Sequence, residues 1–77
     1  MNKVRRASLQ KLYDRLTEIQ EEIESIKSEE DECRENMPEN LQNSERYEQS
    51  ETASANMDEA IEYISSACDS LESAMEG

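Results

Sequence analysis

Residues 9–26 read LQKLYDRLTEIQEEIESI, and their apolar residues recur at alternating steps of three and four. Continued to residue 37, this spacing forms a heptad repeat whose intervening positions are almost all charged or polar. Position a holds Leu9, Leu16, Ile23, Glu30 and Met37, and position d holds Leu12, Ile19, Ile26 and Cys33. A strand alternates every two residues and cannot produce this period, so the repeat predicts an amphipathic helix over about residues 3–35.

A connecting segment follows at residues 36–43, which contain three asparagines and the only proline, Pro38. Asparagine side chains bond to nearby backbone and favour turns, and proline disfavours helical backbone just before it. We expect Pro38 to open a single helical turn through Leu41. Ser44 or Asn43 is then the natural N-cap of a second helix.

A second helix is predicted over about residues 44–76. Its apolar stripe consists of Tyr47, Met57, Ile61, Ile64, Cys68, Leu71 and Met75. Beside the stripe an alanine recurs every seven residues, at Ala53, Ala60, Ala67 and Ala74. One small residue per heptad allows a neighbouring helix to approach closely, although alanine is also simply a good helix former.

Two long helices joined by a short connection predict an all-α fold, an antiparallel two-helix hairpin of the coiled-coil type. A turn centred near residue 40 places residue i opposite roughly residue 80 minus i. The expected centre of the core is Leu16, Ile19, Ile61 and Ile64. Near the loop the expected pairs become polar, with Ile26 against Ser54 and Glu30 against Ser50, so we expect the loop end to be looser than the rest.

The chain is too small for its core to supply much stability alone, and two helices bury only one stripe each. We therefore expect a second copy, giving a homodimer built as a four-helix bundle. Either the alanine column or the side that carries Tyr13 and Tyr63 is the candidate second interface. Cys33 and Cys68 lie about 30 Å apart in this hairpin at roughly 1.5 Å per residue, so we expect two reduced, small core residues rather than a disulfide.

The composition argues against most kinds of chemistry. The chain has no histidine and two cysteines, so neither a zinc site nor a histidine-based catalytic site is expected. No phosphate-binding glycine loop, nucleophile motif or calcium loop occurs, which predicts a non-enzyme without cofactor or small-molecule substrate. No apolar run is long enough for a membrane span, so we expect a cytoplasmic protein that binds no membrane, in the host cytoplasm if a phage encodes it. Direct binding of nucleic acid is not expected either. Bulk composition would also fit a disordered acidic chain, and the heptad period decides against it.

Charge is distributed very unevenly along the chain. Residues 1–17 carry five basic groups and one acid, whereas residues 18–77 carry three basic groups and nineteen acids. Antiparallel folding is expected to let the basic start offset the acids at the end of the second helix. The groups concerned are Arg5, Arg6 and Lys11 on one side and Asp69, Glu72 and Glu76 on the other. Elsewhere the acid stays uncompensated, either to keep the protein soluble or to form a working surface.

A working surface would gather near the loop, where packing constrains the sequence least. The candidate partner-binding residues there are Glu29, Glu30, Asp31, Glu32, Glu35, Glu48 and Glu51. Twenty acids along a rod of about 48 Å amount to one per about 2.4 Å, close to the one charge per about 1.7 Å of duplex DNA. The pattern is therefore compatible with mimicry of nucleic acid. The run at residues 29–32 is also the nearest approach to a metal site, but a solvated helix face is expected there because four consecutive helical positions point in different directions.

The segment Asn36–Glu48, NMPENLQNSERYE, resembles small acidic coiled-coil proteins encoded by phages and mobile elements of Gram-positive gut bacteria. The resemblance is specific over about a dozen residues and implies no activity. It implies a mobile-element setting, in which small acidic proteins often resemble inhibitors of host defence, including anti-CRISPR proteins. Two functions then compete: an inhibitor that shows an acidic face to a basic nucleic-acid-binding protein, and a structural or adaptor coiled coil.

Overall fold

The computed structural model describes residues 1–77 as two long helices that pack against each other as a hairpin. Helix α1 spans Lys3–Glu35, a 3₁₀ turn spans Glu39–Leu41, and helix α2 spans Glu45–Glu76. The bounds agree with the sequence-based expectation to within one residue. The hairpin is a rod, 59 × 14 × 12 Å along its principal axes, and neither helix contains an apolar stretch long enough to cross a membrane.

Both helices begin at a side-chain cap. The Asn2 side chain accepts a hydrogen bond from the backbone N–H of Arg5, and the Ser44 hydroxyl accepts one from the N–H of Tyr47. Each cap satisfies one of the backbone donors that a helix start leaves unpaired. Pro38 precedes the 3₁₀ turn, as the proline position predicts. Of the two candidate caps for α2, Ser44 is the one used.

The core is thin, and only three residues are buried. These are Cys68 in the terminal part of α2, and Ser50 and Ser54 near the loop. We call the positions at which the two helices pack against each other the seam. The remaining seam positions of α2 are half-buried and include Tyr47, Met57, Ile61, Ile64, Leu71 and Met75. The predicted stripe of α2 is therefore confirmed as the face that packs against α1.

On α1 the predicted packing face is wrong for one of its two columns. The a positions are half-buried as expected, but the d positions Leu12, Ile19, Ile26 and Cys33 are all exposed. The other half-buried column of α1 is instead position e, which holds Tyr13, Gln20, Lys27 and Arg34. Ile19 and Cys33 are consequently not core residues. Turning the e column toward α2 lets its long polar side chains bond across the hairpin, and the apolar d column is left outside.

The predicted pairing of residues is also shifted, although the backbone register is close to expectation. The amino group of Met1 donates to the carbonyl of Gly77, and these residue numbers sum to 78. The side-chain contacts Tyr13–Glu72, Lys27–Asp58 and Asp31–Ser54 each sum to 85. Helical side chains lean toward the start of their own helix, so in an antiparallel pair they meet about one turn away from the level of their Cα atoms.

This lean changes the partners near the loop. Ser50 accepts a hydrogen bond from Arg34 rather than facing Glu30, and Ser54 bonds to Asp31 and Arg34 rather than facing Ile26. Two of the three buried residues of the protein lie there. The prediction of a loose loop end overlooked this polar packing.

The ion pairs expected at the terminal end do not form. Arg6 donates from Nε to the carbonyl oxygen of Met75 at 2.8 Å, and Glu72 accepts from the Tyr13 hydroxyl at 2.7 Å. The three ion pairs of the chain lie between residues 27 and 58 and involve Lys27 and Arg34. The basic start therefore contacts the end of α2 through backbone, while its charge remains largely on the surface.

Candidate functional site

A polar cluster joins the two helices next to the loop. Arg34 donates to the hydroxyls of Ser50 and Ser54 at 3.1 and 2.9 Å, to the Ser50 carbonyl oxygen at 3.1 Å, and to Asp31 Oδ1 at 2.8 Å. The Ser54 hydroxyl donates to the same Asp31 oxygen. Lys27 donates to the other oxygen, Oδ2, at 3.0 Å and lies 3.4 Å from Asp58. No buried side-chain polar atom lacks a partner.

These bonds determine the ionisation of Asp31. The Ser54 hydroxyl, then Lys27 and Arg34, donate to its carboxylate and hold the pKa of Asp31 well below its usual range. The same contacts raise the pKa of Lys27 and of Arg34, in both cases chiefly through the hydrogen bond with Asp31. All three groups are therefore charged at neutral pH and directed at each other rather than at a partner.

The seven candidate partner-binding residues separate into two groups. Glu29, Glu32, Glu35, Glu48 and Glu51 are exposed. None of these five takes part in a side-chain hydrogen bond or ion pair, and we call them the acidic surface. Glu30 is half-buried on the packing face, and Asp31 belongs to the polar cluster. The structure thus leaves five of the seven free to meet another molecule.

The acidic surface surrounds the loop end of the rod. Glu29, Glu32 and Glu35 lie in the last two turns of α1, and Glu48 and Glu51 lie in the first two turns of α2. Residues 18–62, which we call the loop half, carry sixteen acids and three basic groups. Two of those basic groups, Lys27 and Arg34, are held by Asp31 and Asp58. Arg46 alone remains on the surface to offset the outward acids.

A second surface lies on one side of the hairpin, and it is apolar. Leu12, Leu16 and Ile19 of α1 form a shallow groove with Leu71 of α2, and Arg15 stands at its rim. Leu12, Ile19 and Ile26 keep 46%, 44% and 56% of their surface exposed. We call the side that carries the d column of α1 the open face. The opposite side, where Tyr13, Lys27 and Asp31 bond to α2, is the hydrogen-bonded face.

The alanine column belongs to the open face. On a helix with a heptad pattern, the residue three after a seam position and the residue four after it lie on opposite sides of the seam. Leu71, in the column of Met57 and Ile64, borders the groove on the open face. Ser54, in the column of Ile61 and Cys68, bonds to Asp31 on the hydrogen-bonded face. The residues three after Met57, Ile64 and Leu71 are alanines and therefore flank the groove. Ala53 and Ala60 are half-buried there, and Ala67 and Ala74 are exposed.

Other potential chemistry is sparse. No group of three or more histidine, cysteine, aspartate or glutamate side chains is placed to hold a metal ion. Both cysteines are free, Cys33 exposed and Cys68 buried. The Tyr13 and Tyr63 hydroxyls donate to Glu72 and Glu59, and these hydrogen bonds are the main reason that the pKa of each tyrosine is raised. Each contact lies on the surface with no enclosed cavity beside it.

Sequence reasoning missed the polar cluster, although a signal for it was present. Ser50 and Ser54 continue the heptad columns of Met57 and Ile61 toward the loop, so two small hydroxyl residues occupy packing positions. Across the hairpin, α1 offers Arg34 at least about one turn nearer the loop than the residues expected opposite these serines. Small polar residues at seam positions opposite a long cation predict a buried hydrogen-bonded layer.

Comparison with known protein families, curated proteins and solved structures finds no match to this chain.

Proposed function

We propose that this chain is a non-enzymatic interaction module whose acidic surface binds a basic nucleic-acid-binding protein. The setting implied by the segment at residues 36–48 is a phage or mobile element. In that setting the module would act as an inhibitor of a host-defence effector, for example a CRISPR effector. The observation that carries the proposal is the inward binding of Lys27 and Arg34, which leaves Arg46 as the one basic side chain that can offset the outward acids of the loop half.

The charge density of the loop half supports mimicry of nucleic acid. Its sixteen acids and three basic groups leave a net charge of −13. At roughly 1.5 Å per residue this half of the rod is about 33 Å long, or one net charge per about 2.5 Å. Duplex DNA presents one per about 1.7 Å. A basic groove that accepts a duplex backbone would meet a comparable line of charge here, on a rod with a Cα cross-section of 14 × 12 Å.

The test compares two variants with equal net charge. One replaces Glu29, Glu32, Glu48 and Glu51 with Gln. The control carries Glu18→Gln, Glu21→Gln, Glu62→Gln and Asp69→Asn. These four exposed acids have no side-chain bonds and lie outside the acidic surface, three of them at the far edge of the loop half. Both variants lower the net charge from −12 to −8, and circular dichroism should show equal helicity.

Each protein is used to capture partners from nuclease-treated host lysate at low and high salt, and a captured protein is then tested for displacement of duplex DNA by fluorescence anisotropy. We expect the first variant to lose salt-sensitive capture and displacement while the control keeps them. Equal behaviour of the two variants would contradict a localised acidic site. Capture of a protein whose DNA binding is unaffected would contradict mimicry.

A second candidate function is a structural or adaptor coiled coil, and the open face favours it. A column of half-exposed Leu and Ile side chains beside an alanine column is an unfilled helix-packing surface. We propose that the hairpin pairs with a second copy into a four-helix bundle. Sedimentation equilibrium at micromolar concentration should then give twice the mass of 8.9 kDa. A monomer with full helicity would contradict self-association and would leave the acidic-surface proposal intact.

A further inference from the structure

The open face has an apolar column on α1 and an uncharged band on α2. From Gln49 to Ala74, the three adjacent columns of α2 on this side contain no charged residue, in a chain that is 36% charged. The band consists of Gln49, Ser50, Ala53, Asn56, Met57, Ala60, Tyr63, Ile64, Ala67, Ser70, Leu71 and Ala74. The acids of α2 lie on its other sides. A molecule with a net charge of −12 can approach a copy of itself most easily through such a band.

The rod also exposes more surface than a folded chain of its mass usually does. Its accessible surface is 5878 Å², against about 4,800 Å² for a typical compact protein of this mass. Its radius of gyration is 17.5 Å, against about 11 Å for a compact domain of this length. The excess of about 1,000 Å² is of the order that a standard protein interface buries. One further hairpin laid along the open face would remove it.

Charge decides which way that second hairpin points. The terminal end of the rod, residues 1–17 and 63–77, carries five basic groups and four acids, whereas the loop half carries three basic groups and sixteen acids. Two hairpins with their loops at the same end would place the two acidic halves side by side. The reverse orientation lays each acidic half along the partner's nearly neutral end, which lowers the repulsion.

The rim of the open face shows the same complementarity residue by residue. On α1 the column next to Leu12, Ile19 and Ile26 holds Arg15, and it holds Glu22 one heptad further on. When α1 packs antiparallel on α1 of a second copy with Ile19 near the two-fold axis, Arg15 of each copy lies beside Glu22 of the other. Arg15 has no ion pair within its own chain and stands free at the rim of the groove.

We infer that a second copy of this chain docks open face to open face in the head-to-tail orientation, with Ile19 near the two-fold axis and Arg15 beside Glu22 of the other copy. The two alanine columns then face each other on the α2 side and allow a close helix approach. This inference rests on the proposed self-association and adds its face and its direction. It leaves the two acidic surfaces at opposite ends of the assembly.

The first test changes the centre of the interface. Ile19→Glu should reduce the sedimentation mass from about twice 8.9 kDa to 8.9 kDa with helicity retained, because Ile19 is already half-exposed in the hairpin. Ser28→Glu adds the same charge to an exposed position on the outer side of α1 and should leave the mass unchanged. A dimer that survives Ile19→Glu would overturn the assigned face while keeping self-association.

The second test exchanges the rim charges. Arg15→Glu and Glu22→Arg should each weaken dimerisation by about two- to thirtyfold, because the two-fold axis repeats each altered contact. The double variant Arg15→Glu/Glu22→Arg should recover most of the loss. A double variant as weak as the sum of the two single changes would overturn the pairing of these residues.

The third test reads the orientation directly. In a Cys33→Ser, Gln42→Cys variant, donor and acceptor dyes sit on the loops of the two copies, with the unlabelled Cys68 buried. Head-to-tail docking places the loops at opposite ends of a rod 59 Å long and predicts weak energy transfer. Strong transfer in a sample of dimeric mass would overturn the orientation, and a monomeric mass would overturn the self-association beneath it.

Discussion

On one side of the hairpin Tyr13, Lys27 and Asp31 bond to side chains of α2, whereas on the other side Leu12 and Ile19 remain about half exposed beside an alanine column. Helix α1 could have packed against α2 with column a and either column d or column e, because both of these columns lie next to column a. Turning toward e forms the polar contacts and the Arg34 cluster. The cost is an apolar column left outside, and that column is the reason to expect a second copy.

The largest expected effect comes from breaking the hydrogen-bonded face at Arg34. Arg34→Gln removes the donor shared by Ser50, Ser54 and Asp31 and should lower the thermal unfolding midpoint further than truncation of a single seam residue does. Arg46→Gln is the matched control, since it removes the same charge from the loop half at an exposed position. Circular dichroism at 222 nm follows both melts. Equal midpoints for the two variants would show that only charge, and not the cluster, is involved.

The next effect compares the seam with the open face. Ile61→Ala shortens a half-buried seam residue and should cost about 2 kcal/mol in the free energy of unfolding. Ile26→Ala, at 56% exposure, should cost less than about 1 kcal/mol in urea melts at a concentration where the mass is monomeric. A larger cost at Ile26 than at Ile61 would mean that column d faces α2 after all.

The smallest effect is a pH dependence that belongs to Asp31. Its pKa is lowered in the folded state, so its ionised form contributes stability above the unfolded-state value of about 4, and this contribution is lost as the pH falls through the folded-state pKa. Wild type should therefore melt above Asp31→Asn at pH 7, and the difference should begin to shrink below about pH 4 and disappear only below the folded-state pKa. The other acids are the same in both proteins, so the difference isolates Asp31. A difference that does not shrink at all below about pH 4 would argue against an ionic role.

Local signals explain what could be predicted at the level of helices. Asn2 and Ser44 are good caps, Pro38 opens the 3₁₀ turn of the connection, and the heptad spacing needs no knowledge of the partner helix. The candidate site was predictable only in part. The exposure of Glu29 and Glu48 could be predicted because both occupy positions outside the apolar columns. The hydrogen bond that ties Asp31 into the polar cluster could not, because its partner Ser54 lies 23 residues away.

The sequence by itself therefore determined the two helices, their bounds, the turn at Pro38 and the acidic loop half, because each depends on nearby residues or on composition. The tertiary structure decided which flank of the seam faces inward and which residues pair across it. That choice depends on the direction in which side chains lean from antiparallel helices, and on contacts such as Tyr13 with Glu72 that join distant parts of the chain. Heptad spacing alone does not say which of columns d and e faces the partner helix, because both lie equally close to column a.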